Sequence, residues 1–307
     1  MLKQALLYLS TARWARRMVT GWWLARRVAR RFVAGETMDD ALRVTRALND
    51  KGLLVSLDYL GEGVKQAEDT RDVVNTYVAA LGQIQVYGLR ASVSLKLTHL
   101  GLDISEELCL DNLRQILSAA QARDIPVTID MESSAYTDTT LRIYRTMRDE
   151  YGFDNVGTVI QAYLRRSEDD MRKLGQEGAR IRLCKGAYLE PPEIAFPRKS
   201  DVDASYVRLT ELYLQSPPPA YLDIATHDEN MIRAAQEAVR KYNVPSDRYE
   251  FQMLYGIRSA RQEQLAAAGH KMRVYVPFGA AWYPYLMRRL AERPANLWFF
   301  VRSLFRG

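Results

Sequence analysis

The sequence predicts an α/β chain folded as a (β/α)8 barrel preceded by N-terminal helices. Eight short apolar runs rich in β-branched residues alternate with longer amphipathic stretches. The length of 307 residues is generous for an ordinary domain but suits such a barrel, which needs about 250 residues. Nearly every apolar run ends in a charged or hydrogen-bonding residue, and this fold keeps its chemistry at those strand ends. With 48% of residues hydrophobic, a large core can be filled.

The first 50 residues read as a helical arm and residues 51–307 as the barrel with its C-terminal helix. Residues 1–35 hold eight cations (Lys3, Arg13, Arg16, Arg17, Arg26, Arg27, Arg30, Arg31) and no acid. Leu2, Leu6, Leu7, Leu9, Trp14, Met18, Trp22 and Trp23 interleave with them. Basic helices with large aromatics suit an anionic membrane surface. A helical cap packed on the barrel and an organellar presequence are the alternatives. The net charge of +6 belongs to this arm, because the remaining 35 Lys and Arg face 37 Asp and Glu. The body therefore has no electrostatic case as a nucleic-acid binder. No apolar run approaches the roughly 18 residues of a membrane span. Two cysteines and three scattered histidines make neither a disulfide framework nor a metal site, which fits a reducing compartment.

Thr37 is an N-cap candidate for a helix from Thr37 to Leu48, with acids in its first turn and Gly52 as the stop. The expected strands are Leu53–Leu57, Ala91–Leu95, Pro126–Ile129, Gly157–Gln161, Ala179–Leu183, Ala220–Ala225, Tyr249–Leu254 and Lys271–Val276. Helical patterns between them include Asp111–Ala122, Thr139–Glu150, Glu168–Gly175, Glu229–Lys241 and Ser259–Ala268. The polar strand ends, in order, are Asp58 with Glu62, Lys96, Asp130 with Glu132, Gln161, Arg182 with Lys185, Thr226-His227-Asp228, and Tyr275.

Two runs are the most informative. In Arg180-Ile-Arg182-Leu-Cys184-Lys185-Gly186, alternation turns Arg182 to one face of the fifth strand, where a cation needs a carboxylate or a cofactor. Gly186 then permits close backbone approach, and Arg198-Lys199 follows in a proline-rich loop suited to phosphate. Read as a helix, Tyr283–Glu292 places Tyr285, Arg288, Arg289 and Glu292 on one face. Paired guanidiniums repel unless an anion sits between them, so that face reads as an anion clamp, with a solvated charged face as the alternative. No Gly-x-Gly-x-x-Gly or Walker loop is present.

Arg182-Leu-Cys-Lys185-Gly186-Ala-Tyr188-Leu-Glu190, Ala225-Thr226-His227-Asp228 and Tyr285-Leu-Met-Arg288-Arg289-Leu-Ala-Glu292 together resemble proline dehydrogenases. The resemblance is to the single-function bacterial form and runs from about residue 33 to 305. It implies a distorted barrel that binds FAD non-covalently. It also implies oxidation of L-proline to Δ1-pyrroline-5-carboxylate, hydride transfer to flavin N5, and electron delivery to a membrane quinone. A cytoplasmic enzyme at the inner face of the cell membrane, in transient contact with a pyrroline-5-carboxylate dehydrogenase, goes with that.

By motif, Arg288, Arg289 and Lys96 would hold the proline carboxylate. Tyr275, Asp130 and Leu254 would wall the ring, with Tyr285 above it and Glu62 paired to the first arginine of the clamp. On the flavin side the resemblance implies Gln161, Arg182, Lys185, Gly186, Arg198, Thr226 and His227, with Glu292 on the clamp helix. It further implies that Tyr275 disfavours 4-hydroxyproline, since relatives preferring that substrate carry a smaller residue. Leu189 stands where some relatives have Trp. Two readings compete: a Schiff-base aldolase using Lys96 or Lys185, and a membrane-surface scaffold with an inert barrel.

Overall fold

The computed structural model describes residues 29–61 and 63–292. Eight parallel strands close into a barrel in sequence order, β1 through β8. They are β1 Leu54–Tyr59, β2 Ala91–Leu95, β3 Val127–Ile129, β4 Val156–Gln161, β5 Arg180–Cys184, β6 Tyr221–Ala225, β7 Tyr249–Leu254 and β8 Met272–Phe278. Each matches an expected strand to within a residue or two. Closure is made by β1 on β8, with Ser56 opposite Tyr275 and Asp58 opposite Pro277. The basic arm to residue 28 and Glu62 lie outside the described residues, and with them the membrane-facing reading of the arm.

The helix ends follow their capping signals. Helix α1 (Met38–Asn49) starts where the Thr37 hydroxyl accepts the Asp40 N–H, 3.2 Å away. It sends Ala41 and Val44 into the same core as Val55 and Val274. Ser105 caps α3 (Glu106–Gln121) and Asp228 caps α7 (Glu229–Lys241) in the same way. The expected helix Thr139–Glu150 is α4 (Thr137–Arg145) followed by a π-helical turn over Thr146–Glu150. Two long helices, α2 (Ala67–Val86) and α6 (Lys199–Leu214), carry weaker apolar periodicity and were not among the named patterns. Helix α5 (Ser167–Gln176) and α8 (Ser259–Ala267) complete the outer ring.

Outward strand residues such as Val93, Leu95, Ile181, Leu183, Phe251 and Met253 form the main core with the helices. A second cluster joins Ala29, Phe32 and Val33 to Trp282, Tyr283, Tyr285 and Leu286 of the C-terminal helix α9 (Trp282–Glu292). Gly256 is required there, since a Cβ on it would lie 1.7 Å from the Arg31 carbonyl oxygen. The entering chain is also tied to β8, with Ala34 N–H donating to the Pro277 carbonyl and Gly279 N–H to that of Gly35, both at 2.9 Å. These contacts set α9 beside the strand that carries Tyr275. No helix among the described residues is long and apolar enough to cross a membrane.

Candidate active site

Alternate positions on these strands are polar and point inward, so the barrel encloses a hydrogen-bonded network. At its centre stands Asp130, just beyond β3. Its Oδ1 accepts from Arg182 Nη1 at 2.6 Å, and its Oδ2 accepts from the Tyr275 hydroxyl at 2.6 Å and from Lys96 Nζ at 3.4 Å. Lys96 also reaches Asp58, with its Nζ 3.2 Å from Oδ2. Arg182 donates from Nε to the Gln252 side-chain Oε1 at 2.6 Å and from Nη2 to the Ser94 hydroxyl at 2.8 Å, and its guanidinium carbon lies 5.3 Å from the centre of the Tyr275 ring.

Donors from three strands, β2, β5 and β8, thus converge on one carboxylate. Two cations, Arg182 and Lys96, face two carboxyl groups, Asp58 and Asp130. Burial pushes the Asp58 carboxyl above its ordinary value, with Lys96 working against that cost. For Tyr275, burial first and then the neighbouring Asp130 and Asp58 charges push the phenol well above its usual range, which keeps it a donor.

Of the residues expected from sequence, Lys96, Asp130, Arg182 and Tyr275 are brought together here. Leu254 stands opposite Tyr275 in the β7–β8 register. Its N–H donates to His227 Nε2 at 2.8 Å, which fixes that nitrogen as the acceptor and leaves the ring proton on Nδ1. Tyr285 is buried on α9, and the Arg289 guanidinium carbon lies 5.3 Å from the centre of its ring. The side chains of Arg288 and Glu292 lie outside the described residues.

The remaining cofactor-side candidates line the ends of β4, β5 and β6. Gln161 is buried and donates from Nε2 to the Glu132 carbonyl at 2.8 Å. Gly186 has φ +110°, and a Cβ there would strike the Tyr163 ring, so only glycine fits. Lys185 sits between Asp203 and Asp228, 2.8 Å from the latter. Burial opposes the Asp228 charge, yet the bond from Lys185 and the Lys185 charge outweigh it and hold the carboxyl at about 2. Thr226 accepts the Asp228 N–H at 3.1 Å, and Arg198 stands exposed at the N-terminus of α6, paired with Asp201 at 2.9 Å.

Ser94 and Gln252 belong to the network although neither was a sequence candidate. Their signal lay in the strand alternation of Ser92-Val-Ser94-Leu-Lys96 and Glu250-Phe-Gln252-Met-Leu254. Neither Lys96 nor Lys185 is an isolated amine in an apolar pocket, the setting that activates a Schiff-base lysine.

The donor set fits an oxidised flavin. Arg182 uses one N–H on each of Nε, Nη1 and Nη2 for the bonds above, leaving one further N–H on each terminal nitrogen for the acceptor-rich edge of an isoalloxazine. Arg198 adds an exposed cation of the kind a pyrophosphate needs.

Comparison with known proteins places the chain among relatives of one family. A family model described as proline dehydrogenase matches residues 41–302. The chain is 45% identical to proline dehydrogenase 1 of Bacillus subtilis (strain 168), over 90% of each chain. It is 39% identical to the proline dehydrogenase of Deinococcus radiodurans, over 91% of each. Among solved structures it resembles the proline utilization A of Bdellovibrio bacteriovorus inactivated by N-propargylglycine. That match has a TM-score of 0.80 at 26% identity and covers 87% of this chain and 33% of the other. The chain therefore spans about a third of that larger protein.

Proposed function

The chain belongs to the proline dehydrogenase family, oxidoreductases acting on the CH–NH bond of proline in its catabolism, and from that premise we propose the finer assignment. The cofactor is FAD, the product Δ1-pyrroline-5-carboxylate, and the final electron acceptor a membrane quinone reached from the inner face of the cell membrane. The division into an arm over 1–50 and a catalytic barrel over 51–307, and a passing contact with a pyrroline-5-carboxylate dehydrogenase, belong to the same proposal. The observation that carries it is the network in which Asp130 accepts from Lys96, Arg182 and Tyr275.

A bound flavin would supply, at N5, a hydride acceptor for the ring carbon next to nitrogen. The side chains position and polarise. Arg182 and Lys96 already serve the Asp58 and Asp130 carboxyl groups, so a substrate carboxylate needs further cations. Arg288 and Arg289 supply the neutralising cations, with Lys96 on the opposite wall. Glu62 would orient the first of them, and Glu292 lies one turn further along the helix. Tyr275, Leu254 and Tyr285 would confine the ring so that its reacting carbon lies roughly 3–3.5 Å from the acceptor atom. Arg182 directs its remaining donors at the charge that arrives with the hydride. Gln161, Lys185, Gly186, Arg198, Thr226 and His227 would hold the rest of the cofactor. Asp130 already accepts from three donors, and the Tyr275 phenol stays protonated, so neither serves as base. The amine proton leaves to water before hydride transfer.

Quinone-linked turnover of L-proline and 4-hydroxyproline tests the assignment. Wild-type protein is expected to prefer proline, and Tyr275→Ser, by opening the wall, to narrow the ratio of kcat/KM values about tenfold. No turnover of L-proline would refute the activity. An unchanged ratio in the variant would show that Tyr275 does not wall the ring.

A further inference from the structure

Below the active site the barrel contains a second charged layer, made by Arg180, Asp223, Glu250 and Arg273. Glu250 Oε1 accepts from Arg273 Nε, and Oε2 accepts from Arg273 Nη2 at 3.0 Å and lies 3.3 Å from Arg180 Nη2. Arg180 also grips Asp223, at 2.9 and 3.2 Å. Glu250 and Asp223 are each 1% exposed, so this layer is sealed from solvent at its carboxylates. Burial opposes the Glu250 charge, but Arg273 and Arg180 outweigh it and hold the carboxyl at about 2.

Gln252 joins the two layers. It lies two residues after Glu250 on β7 and faces the same way. Its Nε2 donates to Glu250 Oε1 at 2.7 Å, while its Oε1 accepts from Arg182 Nε at 2.6 Å. A carboxylate only accepts and a guanidinium only donates, so each neighbour dictates the same orientation of the amide. Flipping it would set oxygen against carboxylate and N–H against N–H. The Nε side of Arg182 is therefore fixed from below, while Ser94 and Asp130 fix its Nη side.

We propose that Glu250 is a positioning residue for hydride transfer. Acting through Gln252, it holds the plane of the Arg182 guanidinium and thereby raises the reduction potential of the flavin. This rests on the reading that Arg182 lies against that cofactor. An amide at position 250 can offer Gln252 either its oxygen or its NH2 group, so the orientation is dictated from the Arg182 side alone. Arg182 can then turn its donors off the hydride-accepting edge.

The test uses Glu250→Gln and Gln252→Met in the full-length, flavin-loaded protein. Gln252→Met cuts the link while leaving the Glu250 ion pairs in place, so wild-type potential and kcat in this variant overturn the proposal even where Glu250→Gln fails to fold. Each variant is expected to shift the two-electron equilibrium of the bound flavin about tenfold toward the oxidised form, a fall of about 30 mV. In each, kcat should drop about tenfold with KM for L-proline nearly unchanged, because the carboxylate clamp is untouched. The double variant should do no more than either single one, since the groups act in series. A lower Tm with potential and kcat at wild-type values would overturn the proposal, leaving Glu250 a purely structural ion-pair partner. If those values stay unchanged while L-proline still bleaches the flavin, this inference alone fails. A wild-type protein that cannot hold flavin would overturn the function assignment and this inference together.

Discussion

Replacing Asp130 by alanine is expected to lower kcat/KM for L-proline about 100- to 1,000-fold, or about 3–4 kcal/mol, within the range lost when a buried ion pair is broken from one side. One carboxylate accepts from Arg182, Tyr275 and Lys96, so its removal unbalances two cations and frees a phenol. Asp130→Asn makes the sharper test. Asparagine keeps the shape but presents an NH2 group to at least one of three neighbours that are themselves donors. Steady-state kinetics on both variants should show losses of similar size. Near-wild-type turnover in Asp130→Asn would mean that this carboxylate only fills space.

The second large effect is expected at Arg182. Arg182→Lys retains a positive charge but cannot reach Gln252, Ser94 and Asp130 at once, because an ammonium lacks the planar fork. Anaerobic rapid-mixing measurements of flavin reduction should show a rate about 100- to 1,000-fold below wild type, the usual cost of removing a donor aimed at developing charge. The substrate dissociation constant should change far less, since the proposed carboxylate clamp does not include Arg182. An unchanged reduction rate with weakened L-proline binding would move Arg182 from the cofactor side to the substrate side.

Much of the fold could be read from residue pattern. The eight apolar runs are the eight strands, because β-branched residues and Gly- or Asp-rich breaks mark them independently of tertiary contacts. Helices α2 and α6 were less legible because their buried residues, such as Tyr77 and Tyr206, are interspersed with polar ones and form no clean apolar stripe. In the site, Lys96, Asp130, Arg182 and Tyr275 stood out as charged or hydrogen-bonding groups at or near strand ends. That Asp130 would gather three of their donors was not legible, since it depends on barrel closure bringing β2, β3, β5 and β8 around one point. Gln252 and Ser94 escaped notice for a related reason. Each is an ordinary polar residue in its own strand and acquires meaning only from the guanidinium that reaches it from β5. The second charged layer shows the same effect, with Arg180, Asp223, Glu250 and Arg273 on four successive strands.

The central claim is that this barrel holds a flavin which L-proline reduces, and the absorption spectrum of the purified protein before and after anaerobic L-proline tests it most directly. The expected result is a set of flavin bands that bleach on addition of L-proline and return with a quinone. A colourless protein that cannot be reconstituted with FAD, or a flavin whose bands persist in excess L-proline, would contradict the account.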